Sequence, residues 1–191
     1  MIGAAVVLPV KAFAEAKGRL APVLDPAARA ELARSMAATV VGAAGPLPVV
    51  VVCDDDAVRG WASALGLDVL WTPGVGLNGA VEAGVAHAAG LGHDRAIVAH
   101  ADLPLATDLA WVADFEGVTL VPDRHGDGTN VACVPTAAGF RFAYGGRSCA
   151  RHEGEARRLE LPVRVVPDVR LGWDVDRPAD LDLPTDLRPT G

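Results

Sequence analysis

Residues Ala4–Leu20 read AAVVLPVKAFAEAKGRL. The opening Ala4–Val7 is apolar throughout, the pattern of a strand covered on both faces. From Leu8 the chain turns polar and gathers three cations, Lys11, Lys17 and Arg19, before any clear helix begins. Open α/β sheets bind their ligands beyond the carboxyl ends of the strands, so this loop is in the right place for a site. Lys supplies a mobile point charge and Arg a planar fork, a combination that suits a polyphosphate. A solvated basic surface loop has the same composition, and the stretch alone leaves both readings open.

Outward from it, Asp25-Pro26 has the chemistry of an N-cap followed by the first helical residue. Residues 27–44 carry the helix, ended by Gly45-Pro46. Val49–Cys53 is again a continuous apolar run. A short helix over 58–65, a strand over 68–71, a glycine-rich loop at 74–79, a helix over 81–89 and a strand over 95–99 follow. This β-α-β-α-β-α-β order predicts a single-domain, mostly parallel, doubly wound α/β sheet, Rossmann-like, with helices on both faces. The second half is less regular: a helix over 107–115, strands at 118–121 and 130–134, a helix near 149–159, a late strand at 163–166 and a short helix at 178–181. Residues 1–183 are expected to be one domain and 184–191 a polar, frayed tail.

Composition narrows the partners. The chain has 191 residues, 51% apolar and 21% charged, with a net charge of 17 − 24 = −7. An acidic chain does not suit a nucleic-acid polymer or an anionic membrane. Any phosphate must be met locally, which raises the weight of Lys11, Lys17 and Arg19. The cysteines, Cys53, Cys133 and Cys149, are odd in number and widely spaced, so neither a disulfide framework nor a zinc ribbon is suggested. The amino terminus lacks a positive n-region and meets Pro9 and Lys11 early, unlike a signal peptide. No apolar run reaches membrane-spanning length. A cytoplasmic protein with no obligate protein partner is the expectation.

Several clusters carry chemistry. In HADLPL, His100–Leu105, Asp102 directly follows a buried strand. A carboxylate facing phosphates usually meets them through Mg²⁺; the competing role is N-cap of a following helix. In GWDVDRP, residues 172–178, Asp174 and Asp176 share one face of an extended segment. With Asp102 they would make a metal cage; capping before Pro178 accounts for Asp176 alone. Gly74-Val75-Gly76-Leu77-Asn78-Gly79 matches G-x-G-x-x-G, with an acid about twenty residues on at Asp102, so an NAD(P)-dependent oxidoreductase is the alternative. PDRHGDGTN, residues 122–130, has glycines that let its backbone approach a ligand. YGGRS, residues 144–148, offers amides and a hydroxyl at a helix start, a natural anion seat. Ordinary turn chemistry explains either loop as well. There is no P-loop, no nucleophile elbow and no histidine pair at metal-ligand spacing.

Taken together, LPVKAFAEAKGRL, HADLPL, PDRHGDGTN, YGGRS with Arg151-His152, and DVDRPADL resemble the guanylyltransferases of coenzyme F420 biosynthesis, within the MobA-like nucleotidyltransferase superfamily. The resemblance spans residues 6–183. It implies transfer of GMP from GTP to a small phosphorylated acid with release of pyrophosphate, the acid being phosphoenolpyruvate, 2-phospho-L-lactate or 3-phospho-D-glycerate. The alanine- and arginine-rich composition resembles that of a high-GC bacterium and favours phosphoenolpyruvate. By the same resemblance, Lys11, Lys17 and Arg19 would hold the GTP phosphates and, with Asp102, form the catalytic set. Asp102 and Asp176, with Asp174, would hold Mg²⁺. Asn78 and the backbone at Pro9 and Val10 would border the nucleoside. Thr129, Gly145, Gly146 and Ser148 would hold the phospho-acid. The superfamily's usual first loop is glycine-rich and this one is not, its Lys17 and Arg19 resembling the family's own variant; a molybdopterin nucleotidyltransferase is a further alternative.

Overall fold

A computed structural model of the chain describes residues 3–184 and Leu187. Seven strands form one sheet: β1 (Ala4–Pro9), β2 (Val49–Cys53), β3 (Asp68–Trp71), β4 (Arg95–Ala99), β5 (Val118–Pro122), β6 (Thr129–Pro135) and β7 (Val163–Val165). Their order is β3-β2-β1-β4-β6-β5-β7. β1, β2, β3 and β4 are mutually parallel, β6 runs antiparallel to both neighbours, and β5 pairs with β7 in parallel. The mostly parallel α/β sheet expected from the sequence is therefore the fold.

Alternation along the strands builds a core on each face. Val6, Leu8, Val49, Val51 and Ile97 face one side, against α1 (Pro26–Ala43) and α2 (Asp56–Ala64). Ala5, Val7, Val50, Val52, Ala96 and Val98 face the other, against α3 (Gly76–Gly90) and α4 (Ser148–Arg158). Both faces being covered is why the strands read as unbroken apolar runs. Helix starts follow the expected chemistry: Asp25 accepts from the Ala28 amide at 2.8 Å, and Asp55 from the Val58 amide at 3.0 Å.

Three expectations need correction. Residues 107–115 do not form a helix; only Ala110–Ala113 make a 3-10 turn. The backbone donors there are drawn elsewhere: the Leu109 amide bonds the Ala43 carbonyl at 3.0 Å, and the Asp108 carboxylate takes the Ala110 amide at 2.8 Å. Residues 74–79 are not wholly a loop, because α3 begins at Gly76. The terminal helix at 178–181 is likewise a 3-10 turn. Of the tail expected at 184–191, only Pro184 and Leu187 are described.

Gly84 sets how closely α3 approaches the sheet: a Cβ there would stand 2.5 Å from Val7 Cγ1 and 2.8 Å from Val52 Cγ2. Gly84→Ala gains about 0.5–1 kcal/mol of helix propensity but overpacks the core at a cost of about 1–3 kcal/mol. The variant is expected to unfold at lower urea concentration than the parent, with an unchanged m-value; an equal or higher midpoint would show that α3 lifts freely off the sheet.

Candidate active site

The carboxyl ends of β1 and β4 lie side by side, at the point where the chain winds in opposite directions from β1. That crevice is where an open sheet takes its ligand. The loop after β1 is tied down by the Val10 amide bonding the Val52 carbonyl at 3.0 Å and by the buried Phe13 and Leu20. Two 3-10 turns, Phe13–Glu15 and Gly18–Leu20, shape it, with Lys17 between them in a left-handed conformation at φ 57°. The loop roofs a cleft of about 520 Å³ whose walls include Pro9, Val10, Lys11, Arg19, His100 and Asp102. Pro9, Val10 and Lys11 also line a neighbouring cavity of about 110 Å³ at the ends of β2 and β3.

Across the cleft, Lys17 Nζ meets Asp102 Oδ2 at 2.6 Å. The other oxygen, Asp102 Oδ1, is buried and has no hydrogen-bond partner. The capping role for Asp102 fails because no helix follows it; instead its carbonyl accepts the Val175 amide at 3.1 Å. That bond holds the second acidic stretch beside the first. Asn130 Nδ2 donates to Asp174 Oδ1 at 3.4 Å. Burial, and after it the charge of Asp102, pushes the Asp174 carboxyl above its ordinary range. Asp176 pairs with Arg19 at the open rim. Its capping role fails too: Asp180, buried, takes the Asp176 and Arg177 amides at 2.8 and 2.7 Å.

Among the described residues no group of three or more His, Cys, Asp or Glu side chains is drawn together as a metal site. Asp102 and Asp174 still fit a hard divalent cation. Asp102 offers an orphaned buried oxygen, and burial with the Asp102 charge raises the cost of ionising Asp174.

Asn78 lies apart from the cleft walls on the exposed start of α3, where its Oδ1 accepts the Tyr144 amide at 2.9 Å. It braces the loop before α4. Thr129 and Ser148 are buried together, Ser148 Oγ standing 3.4 Å from Thr129 Oγ1. His152 completes this group. Its Nε2 accepts the Ala143 amide at 2.9 Å, so the ring proton sits on Nδ1 and is donated to Thr129 Oγ1 at 3.0 Å. Burial, with help from the Arg151 charge, pulls His152 down to about 4.

The amides at the start of α4 are less free than the sequence suggested. Those of Arg147 and Cys149 bond Asp127, and that of Ser148 bonds the Gly145 carbonyl. Gly145 and Gly146 remain exposed, Gly145 at φ 108°. Residues that the sequence reading passed over are His152, which lies four positions after Ser148 on one helix face, and Asp180, four after Asp176. Their i,i+4 spacing was the available signal.

The dinucleotide reading fails on position. The glycine turn follows the edge strand β3 and not the first strand, and Gly76 and Gly79 belong to α3, although Leu77 of the same segment lines the cleft.

The chain has relatives among known proteins along nearly its whole length. The family model described as "Guanylyl transferase CofC like" matches residues 4–183. A phosphoenolpyruvate guanylyltransferase from Sphaerobacter thermophilus is 36% identical, covering 92% of this chain and 89% of its own. A 2-phospho-L-lactate guanylyltransferase from Methanothermobacter thermautotrophicus is 35% identical, covering 92% and 81%. Among solved structures, a nucleotidyl transferase from Methanothermobacter thermautotrophicus superposes with a TM-score of 0.64 at 15% identity, covering 94% of each chain. No helix among the described residues is long and apolar enough to cross a membrane.

His152 gives a pH prediction. Its folded value of about 4 lies below the unfolded value near 6.5. The unfolded state therefore binds more protons in between. The stability this group contributes is complete above pH about 6.5 and is lost as pH falls toward about 4, on the order of 2–3 kcal/mol. Urea unfolding across that window should show a steeper acid loss for the parent than for His152→Gln. Parallel pH profiles would contradict a His152 held neutral by burial.

Proposed function

The chain belongs to the CofC-like guanylyl transferase family, and on that premise we propose that it transfers GMP from GTP to the phosphate of a small phosphorylated acid and releases pyrophosphate. Phosphoenolpyruvate is the favoured acid, with 2-phospho-L-lactate and 3-phospho-D-glycerate as the competitors. The place of the reaction is coenzyme F420 biosynthesis, in the cytoplasm. One observation carries the reading: a cation-rich loop closes on an acid, Lys17 against Asp102 at 2.6 Å, inside a cleft of about 520 Å³. The relatives' names supply phosphoenolpyruvate and 2-phospho-L-lactate as acceptors, and the family match favours a phospho-acid over a molybdopterin.

The acceptor phosphate is already an anionic nucleophile, so the site needs no general base. Its difficulty is bringing anions together in line, and positioning and neutralisation are the remedies. Lys11, Lys17 and Arg19 serve the triphosphate oxygens. Pro9 and Val10 border the nucleoside, and Asn78 acts through the Tyr144 amide by holding the far wall. Asp102 and Asp174 would hold Mg²⁺, with Asp176 beside them, and the ion would supply Lewis-acid polarisation of the α-phosphate. Thr129, Ser148 and the exposed backbone at Gly145 and Gly146 receive the acid. His152 keeps the Thr129 hydroxyl oriented, because its Nδ1–H occupies one lone pair of Oγ1.

A pyrophosphate-release screen of four nucleoside triphosphates against the three phospho-acids, with and without Mg²⁺, is the test. Release is expected with GTP, with phosphoenolpyruvate preferred, and only in the presence of the metal. Turnover with CTP in place of GTP, or at full rate in EDTA, would overturn the reading.

A further inference from the structure

The segment Asp123–Gly128 contributes no side chain to the roles assigned above, yet it is unusually well tied. The Asp123 carboxylate accepts three amides of its own loop: His125 and Asp127 on Oδ1, both at 3.0 Å, and Gly128 on Oδ2 at 2.8 Å. The Asp123 amide returns a bond to the Gly128 carbonyl at 3.1 Å. Gly128 is needed for this knot, since a Cβ there would stand 2.7 Å from Asp123 Oδ2.

From the knot two arms reach in different directions. Arg124 grips the second acidic stretch. Its amide bonds the Gly172 carbonyl at 2.8 Å, and its guanidinium donates to the Asp174 carbonyl at 3.0 Å and to the Asp180 carboxylate. The guanidinium also lies over the Trp173 ring, 4.5 Å from its centroid. Asp180 in turn fixes the Asp176 and Arg177 amides. Asp127 grips the start of α4, its carbonyl taking the Cys149 amide at 3.2 Å and its Oδ2 the Arg147 amide at 3.1 Å. Ser148 sits between those two residues, and Arg147 is held in the left-handed region at φ 58°.

We infer that the Asp123–Gly128 loop is a brace that sets the spacing between the metal-binding acids and the acceptor cradle, with Arg124 positioning the acids and Asp127 positioning Ser148. The inference rests on the assignment of the nucleotide and acceptor sides made above. In-line attack requires the acceptor phosphate and the α-phosphorus to be held at one separation, and small misplacement is costly. The start of β6 touches both sides, Asn130 bonding Asp174 and Thr129 bonding Ser148, and the knot immediately before it extends that link. The knot is the rigid element that both arms share. Its carboxylate and two glycines explain why an exposed loop carries this composition.

The test uses the full chain and separates the arms. Mn²⁺, as a spectroscopic stand-in for Mg²⁺, is titrated by electron paramagnetic resonance in the presence of GTP without acceptor. The KM for phosphoenolpyruvate comes from pyrophosphate release. Arg124→Lys keeps the charge but cannot span the Asp174 carbonyl and the Asp180 carboxylate together. It should weaken Mn²⁺ binding about tenfold or more and leave the acid's KM within about twofold. Asp127→Ala should raise that KM about tenfold without moving Mn²⁺ affinity. Asp127→Asn, which retains an acceptor oxygen for the Arg147 amide, should restore most of it. Loss of kcat in all three variants with both constants unchanged would reduce the loop to a generic fold element and overturn the inference, as would an exchange of the two effects. If the parent transfers GMP to none of the acids, the assignment of the acceptor side fails and the Asp127 arm with it. The Mn²⁺ titration still decides the Arg124 arm, because unchanged affinity in Arg124→Lys overturns that arm independently.

Discussion

A partly buried ammonium–carboxylate contact, Lys17 to Asp102, holds the loop after β1 against the loop after β4. Its side chains are 10% and 24% exposed, and 85 residues of chain separate them. Water screens such a pair poorly, and removing either partner strands an uncompensated charge, at a cost of about 3–5 kcal/mol. The second cross-cleft pair, Arg19 with Asp176, is open to solvent on both sides, at 68% and 41% exposure. Pairs of that kind contribute about 0–1 kcal/mol. The two contacts therefore differ in kind. Lys17 and Asp102 hold the two loops together, while the Arg19–Asp176 pair costs little to separate. The orphaned Asp102 Oδ1 makes the inner pair a poised arrangement with one acceptor still unspent.

The sheet explains why these loops meet at all. β1 and β4 are parallel neighbours in register from Ala4–Arg95 to Val7–Val98, so their carboxyl ends open on the same side. β6 enters antiparallel beside β4, which brings its first residues, Thr129 and Asn130, to that same end. Asn130 then faces Asp174 and Thr129 faces His152 and Ser148. One reversed strand thus places Thr129 and Asn130 at the same end of the sheet as the acidic loops. The proposed transfer between phosphates would need two separate seats for its anions.

Much of this was legible in the chain. Val49–Cys53 and Arg95–Ala99 are buried on both faces, and their continuous apolar character said so directly. Asp25 caps its helix as the following Pro26 implied. The basic loop was visible because Lys11, Lys17 and Arg19 are anomalous in a chain of net charge −7. What escaped was tertiary. Residues 107–115 have helical periodicity, but Leu109 and Asp108 spend the necessary bonds on α1 and on an Asx turn. The helix-start amides on either side of Ser148 looked available for an anion until Asp127, twenty positions upstream of Arg147, took two of them. Asp176 looked like a cap because Pro178 follows, whereas Asp180 does the capping from inside the turn. In each case a competing hydrogen-bond partner outcompeted the arrangement that the local pattern suggested.

The most direct measurement is the GMP-transfer rate of Asp102→Asn together with its far-ultraviolet circular dichroism and its stabilisation by GTP with Mg²⁺. Asn preserves shape and hydrogen-bonding capacity and removes only the charge and one acceptor oxygen. If Asp102 is the inner anchor of the metal and the triphosphate, the variant keeps the parent's spectrum, loses turnover and is no longer stabilised by GTP·Mg²⁺. A folded variant that turns over at close to the parent's rate would contradict the account at its centre.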